Sequence, residues 1–243
     1  MKLCIISDIH GNVDALRRVC SGIDAENPDK VVCLGDVVGY GANPNECCDI
    51  VKSIAEVTVM GNHDATVCGR MSGDYYYDAV NDVLRWTSGQ LTDSNMEWLS
   101  GLPFTARLDG MLLSHGSPAA PDEFDYIFTP EQAQYAFESS AGLPPLMFLG
   151  HSHLCKVFMS LEGDVLELLS ASMMLRDAAK YIISVGSVGQ PRDYDPRACF
   201  AVLDTGAKSF RFERLEYDFK AAGTRIEEAG LPIEFASRLH LGV

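Results

Sequence analysis

The sequence is short of positive charge: 19 lysines and arginines stand against 34 aspartates and glutamates, a formal net charge of −15. Such a chain repels nucleic-acid backbones and anionic lipid surfaces, so neither a nucleic-acid duplex nor a membrane is an expected partner. No apolar run approaches the ~18–20 residues of a membrane span. The amino-terminal MKLCIISDIHG holds one lysine and a short apolar run before Asp8, less than a secretory leader needs, and a cytoplasmic protein is expected. The eight cysteines form no C-x-x-C pair, which argues against a zinc finger. They scatter through apolar runs instead of framing a small disulfide scaffold, and the adjacent Cys47 and Cys48 read as helix residues. There is no G-x-S-x-G, so a serine hydrolase is unsupported, and the glycine-rich GYGANPN lacks the lysine of a P-loop. Repeats, low-complexity stretches and obvious linkers are missing as well.

What is present is an ordinary folding composition, 47% hydrophobic and 22% charged, which supports a sizeable core. Short β-type runs recur at 3–6, 31–34, 57–60, 111–114, 146–149, 156–159, 181–185 and 199–203. Most are continuously apolar, the pattern of strands buried on both faces. FRFERLEY (210–217) alternates and reads as a half-exposed strand. Helices are predicted from Asn12, with Val13, Leu16, Cys20 and Ile23 on one face, and from Asn43–Pro44. Two more, broken near Gly89, are expected over 76–100, one from Thr129–Pro130, and two short ones at the end, split at Gly230–Leu231–Pro232. Strands alternating with helices indicate an α/β domain. Two facing sheets with helices outside fit the mixture of parallel and hairpin-like connections.

The informative feature is how the strands end. LCIIS stops at Asp8-Ile9-His10, VVCL at Gly35-Asp36, and VTVM at Gly61-Asn62-His63-Asp64. MLLS stops at His115-Gly116 and LMFL at Gly150-His151-Ser152-His153. Functional sites of open α/β folds gather outside the carboxyl ends of strands. Five of the six histidines sit at these ends, mixed with carboxylates and an amide and without thiolate. Such donors suit Mn²⁺, Fe, Ni²⁺ or Zn²⁺. Seven ligands exceed what one ion with an open position can use, and suit two divalent ions, ~3.5–4 Å apart, sharing a carboxylate.

The ordered set D-x-H, G-D, G-N-H-D, H-G and G-H-x-H resembles the calcineurin-like metallophosphoesterases. The resemblance implies two mixed β-sheets packed as a sandwich and flanked by helices, in four layers. It implies one domain over 1–243 with a small cap segment around 65–105. It further implies that Asp8, His10 and His153 hold one metal, that Asn62, His115 and His151 hold the other, and that Asp36 bridges them. His63 would be the general acid, steadied by Asp64, while a hydroxide between the metals attacks phosphorus and Asn62 helps to bind the phosphoryl group. The substrate would be a small phosphate ester or nucleotide.

Substrate contacts are less sharply written. In VGSVGQPRDYDPR, Arg192 and, after it, Arg197 are candidates to grip phosphate, or else they form Arg–Asp pairs with Asp193 and Asp195. This loop, GDVVGYGANPNE and the AGLP near the end resemble a subgroup with phosphodiesterase or diadenosine-tetraphosphate hydrolase activity. Tyr40 stacks a base, touches phosphate or packs. Arg70 and the Tyr75–Tyr77 run are further candidates to hold a nucleobase. A phosphomonoesterase or protein phosphatase, and a non-catalytic scaffold retaining the fold, are the alternatives.

Overall fold

The computed structural model describes residues 1–139 and 142–243. Along the chain, the first half runs β1 (Lys2–Ile6), α1 (Val13–Glu26), β2 (Lys30–Cys33), α2 (Pro44–Ile54), β3 (Val57–Thr58), α3 (Asn62–Val67), α4 (Asp78–Gln90), α5 (Asp93–Ser100), β4 (Thr105–Leu108) and β5 (Met111–Ser114). The second half runs α6 (Pro130–Glu138), β6 (Leu146–Leu149), β7 (Cys155–Leu161), β8 (Asp164–Glu167), β9 (Ser172–Met174), β10 (Lys180–Val185), β11 (Ala198–Asp204), β12 (Ser209–Leu215), α7 (Phe219–Glu228) and α8 (Ile233–Leu241).

The strands form two six-stranded mixed sheets, ordered β3-β2-β1-β11-β12-β9 and β4-β5-β6-β10-β7-β8. The continuous apolar runs are explained by burial on both faces. In β1 and β2, Leu3, Ile5 and Val32 point at the other sheet, where Phe148, Val157 and Ile183 meet them. Cys4, Ile6 and Cys33, one residue out of phase, pack instead under Leu16, Val19 and Ile23 of α1 and Phe235 of α8. The outer face of the second sheet buries Met147, Phe158 and Ile182 under Ala133, Ala136 and Phe137 of α6. The expected four-layer α/β sandwich is the observed one.

Local signals act as expected at the helix starts. Asn12 Oδ1 accepts the Ala15 N–H at 3.1 Å, and at the start of α6 the Thr129 and Gln132 side chains each accept the other residue's backbone N–H. The two helices expected over 76–100 are present and part near Gly89: α4 ends at Gln90, and α5 starts after Thr92, whose hydroxyl caps it. Two features differ. Within VTVM the strand covers Val57 and Thr58; Val59 N–H still bonds the Cys33 carbonyl of β2, and Met60 N–H leaves for the Pro103 carbonyl. The strands β4, β8 and β9 have no counterpart among the apolar runs, since they lie at or beside sheet edges and are half-exposed. Among the described residues no helix is long and apolar enough to cross a membrane.

Candidate active site

Sheet topology brings the strand ends together. β1, β2 and β3 are mutually parallel in the first sheet, and β5, β6 and β10 in the second. Their carboxyl ends meet along one edge of the sandwich. The segment after β1 runs beside the segment after β2, with Asp8, His10 and Gly11 N–H groups bonding the Gly35, Asp36 and Val37 carbonyls. The second sheet is tied across to this pair: His151 N–H donates to the Asp8 carboxylate at 3.1 Å, and Ser187 Oγ donates to the Asp8 carbonyl at 2.8 Å.

Asp8, His10, Asp36, Asn62, His63, His115, His151 and His153 are all buried in this one region. Five of them take the left-handed backbone: Asp8 (φ +55°), His10 (+51°), Asp36 (+51°), His151 (+65°) and His153 (+58°). That conformation costs ~1–2 kcal/mol per residue, least for Asp, Asn and His. The residue types suited to binding a cation are therefore also those that tolerate the reversal at a strand end. The cross-sheet hydrogen bonds hold the strain in place. Backbone crowding explains Gly61: a Cβ there would collide with the Asp36 carboxylate.

Two donor groups form. Asp8, His10, Asp36 and His153 offer ligand atoms within 4.8 Å of one another, and so do Asp36, His115 and His151. Asn62 Oδ1 lies 3.1 Å from His115 Nε2 and joins the second group. Asp36 belongs to both: its Oδ2 is 3.5 Å from His10 Nε2 and 3.3 Å from His115 Nε2.

The protonation chemistry fits a cation at each group. His153 Nδ1 donates to the Gln190 carbonyl at 2.5 Å, and His115 Nδ1 to the Leu34 carbonyl at 2.6 Å. A carbonyl can only accept, so these bonds fix both tautomers and turn Nε2 inward, as metal-binding histidines are oriented. Burial pushes His10, His151 and His153 well below the ordinary imidazole value, so their rings are neutral. The bare Nε2 of His153 then faces Asp8 Oδ1 at 3.3 Å. Two such electron-pair donors, with His10 Nε2 3.1 Å from the same nitrogen, are suited to share a cation. Burial also pushes Asp8 up to about 7, with Asp36 adding to it. His115 differs: burial lowers it, but Asp36, Asp8 and the Leu34 carbonyl together outweigh burial and lift it to about 9. Without a metal His115 and Asp36 form a buried ion pair.

Over these groups opens a cleft of about 460 Å³, lined in part by His63, Tyr40, Tyr76, Tyr126 and Arg192. The His63 ring is wedged among Tyr40, His10 and Tyr76 at centroid distances of 4.5, 4.8 and 5.5 Å. Its Nδ1 is buried without a partner, and its backbone N–H donates to Asp36 Oδ1 at 2.9 Å. Burial, against the pull of Asp36, holds its pKa down at about 4.

Asp64 does not steady His63. Its carboxylate accepts the backbone N–H groups of Val37 and Val38 on one oxygen and of Gly61 on the other, at 3.0, 3.2 and 3.1 Å. It begins α3 and binds it to the turn after Asp36, so its place is structural. Asp64→Ala strands three buried N–H groups, and a loss of about 3 kcal/mol or more is expected in urea unfolding. Asp64→Asn, which keeps an acceptor oxygen, should lose less. Equal stability of Asp64→Ala and the parent protein would overturn this placement.

The other candidates divide. Arg192 Nη2 donates to Tyr40 OH at 3.3 Å and to Gln190 Oε1 at 3.0 Å, inside the cleft, and pairs with neither aspartate. Asp193 pairs with Arg214, and Arg197 with Asp195. Tyr40 packs between the His10 and His63 rings and carries Arg192 on its hydroxyl. Arg70 lies away from the cleft, bonding the Ser100 and Leu102 carbonyls over the Phe104 ring. Tyr75 is 83% exposed. Tyr76 reaches the site, and Asn62 Nδ2 donates to its hydroxyl at 2.6 Å, fixing the amide so that Oδ1 faces His115. Sequence reasoning missed Tyr76's part, Gln190, and Tyr126, which stacks on His151 at 3.8 Å and 12°. No spacing along the chain assigns these parts, because Tyr76 and Gln190 reach the site through hydrogen bonds and Tyr126 through stacking, all across segments distant in sequence.

Known proteins resemble this chain in sequence and fold. A family model described as calcineurin-like phosphoesterase matches residues 1–170. The uncharacterised protein MJ0912 of Methanocaldococcus jannaschii is 37% identical over 248 residues, covering 99% of this chain and 98% of that protein. The crystal structure of a metallophosphoesterase from Sphaerobacter thermophilus is 35% identical, with a TM-score of 0.86 over 100% of this chain and 99% of its own. A hypothetical protein from Pyrococcus horikoshii, PH1004, shares the fold at 21% identity, with a TM-score of 0.77 over 100% and 98% of the two chains. The chain has relatives over its whole length and donor groups suited to divalent ions, and the protein belongs to the calcineurin-like phosphoesterases, metal-dependent phosphoester hydrolases.

Proposed function

We propose that the protein is a two-metal phosphodiesterase or dinucleoside-polyphosphate hydrolase, one domain in which the segment around 65–105 walls the cleft. The observation that carries the reading is the pair of donor groups joined through Asp36 beneath a cleft lined by tyrosines. Asp8, His10 and His153 would hold one ion, Asn62, His115 and His151 the other, and Asp36 both. Bound divalent ions supply Lewis acidity, making a water nucleophilic near neutral pH and offsetting phosphoryl charge. The chain's own residues do the rest. Arg192, anchored on Tyr40 and Gln190, presents its guanidinium to the phosphoryl oxygens. His63 stands over the same centre. The negative charge of a bound phosphate opposes the burial that keeps the ring neutral, so the ring gains a proton and delivers it to the leaving oxygen. Room beyond a single phosphoryl group, walled by Tyr40, Tyr76, Tyr77 and Tyr126, favours a substrate with groups on both sides of the phosphorus.

The test is hydrolysis by Mn²⁺-loaded protein of bis-p-nitrophenyl phosphate, p-nitrophenyl phosphate and diadenosine tetraphosphate. The diester and the dinucleotide should be cleaved faster than the monoester. Chelation should abolish turnover and lower the melting temperature, since an ion held at about 100 times its Kd contributes ~2.7 kcal/mol. Faster monoester cleavage would replace the reading with a phosphomonoesterase. Metal-loaded protein inert towards all three would point to a non-catalytic scaffold.

A further inference from the structure

Carboxylates outnumber lysines and arginines 34 to 19, so a half-buried cation has no shortage of partners. Lys2, Lys30, Lys156, Arg211 and Arg214 are half-buried, and each reaches a carboxylate. Among the described residues, the half-buried cations that form no ion pair are Arg192 and Arg238, and both line the cleft over the donor groups. Leaving a partly desolvated guanidinium unpaired is unfavourable, and its occurrence twice in one cleft points to an anionic ligand there.

Arg192 is taken up by the reading above, on the side of Tyr40, whose ring touches His10 and His63. Arg238 is not. It projects from α8 and is held by neutral groups: its Nη2 donates to Tyr77 OH at 3.3 Å, and its guanidinium lies 5.5 Å over the Phe235 ring. These contacts aim the group and leave its charge unneutralised. A guanidinium has five N–H donors, and only one is spent on Tyr77. The remaining donors form a fork suited to phosphate oxygens.

We infer that Arg238 is a specificity-determining residue that binds a second anionic group of the substrate, so that this cleft prefers ligands carrying two or more phosphates over a lone phosphoryl group. The inference rests on the phosphoesterase reading of the cleft. It adds a residue from the carboxyl-terminal helix, outside the stretch the family model matches. If Arg238 served only to hold α8 against Tyr77, its loss would weaken all ligands by one factor.

The experiment is calorimetric titration of Mn²⁺-loaded protein with phosphate, diphosphate and triphosphate, each with Mn²⁺ in excess, with hydrolysis of bis-p-nitrophenyl phosphate measured in parallel. The parent protein should bind triphosphate more tightly than phosphate, and Arg238→Ala should reduce that preference by about tenfold or more, the effect of one lost charge-assisted hydrogen bond. Arg238→Lys should retain part of it. Arg17→Ala, which removes the same charge from an exposed helix face, should keep it whole. A preference unchanged in Arg238→Ala, or losses equal for phosphate and triphosphate, overturns the inference. Hydrolysis of the diester with no dependence on Arg238 leaves the enzyme reading standing and removes the second site. Dependence on Arg238 without any hydrolysis supports the site and removes the enzyme reading.

Discussion

Asp36→Asn should lower turnover by roughly 10³-fold or more, equivalent to ~4 kcal/mol of barrier. Metal content should fall below two ions per chain by elemental analysis. The size follows from position. Asp36 is the one side chain shared by both donor groups, with its Oδ2 between His10 and His115 at 3.5 and 3.3 Å. An amide is a far weaker ligand and directs two N–H donors at groups that need an electron pair. The loss is local. The Asp36 Oδ1 that holds His63 N–H can be kept by the Asn oxygen, so the circular dichroism spectrum should be that of the parent. Two bound ions and full activity in Asp36→Asn would remove the bridging assignment.

His63→Ala should keep both ions and still slow cleavage by roughly 10²–10³-fold for an alkoxide leaving group, and by only about tenfold for p-nitrophenoxide. The contrast arises because a good leaving group departs without a proton. The ring belongs to neither donor group, so metal content should not change. Its position is set from several sides: Tyr40 and Tyr76 flank it, and a Cβ at Gly39 would collide with its Nδ1. Equal losses on both leaving groups would instead assign His63 to binding or to packing.

The fold was legible to the extent that burial is written into composition. Strands buried on both faces must be apolar throughout, and the runs at 3–6, 199–203, 146–149 and 181–185 mark the centres of both sheets. Edge strands such as Asp164–Glu167 have one half-exposed face and no such signature. The break expected near Gly89 falls at 91–92, where the Thr92 hydroxyl caps the next helix.

Histidines and carboxylates at the strand ends were legible because a parallel sheet aligns the ends of its strands, and five such ends carry chemistry of one kind. Their sequence alone determined the α/β class, the helix caps and the set of residues that meet at the edge of the sandwich. Tertiary structure alone decided what lies between those residues and around them. It gave Asp64 to three backbone N–H groups instead of to His63, sent Arg70 to the Ser100 and Leu102 carbonyls, and placed Tyr76 on Asn62. It also carried Arg238 from the last helix to the cleft of the first strands. The physical reason is the same in each case: hydrogen bonds and charge pairing depend on distances of a few ångströms between segments far apart in the chain, and no spacing along the sequence encodes them.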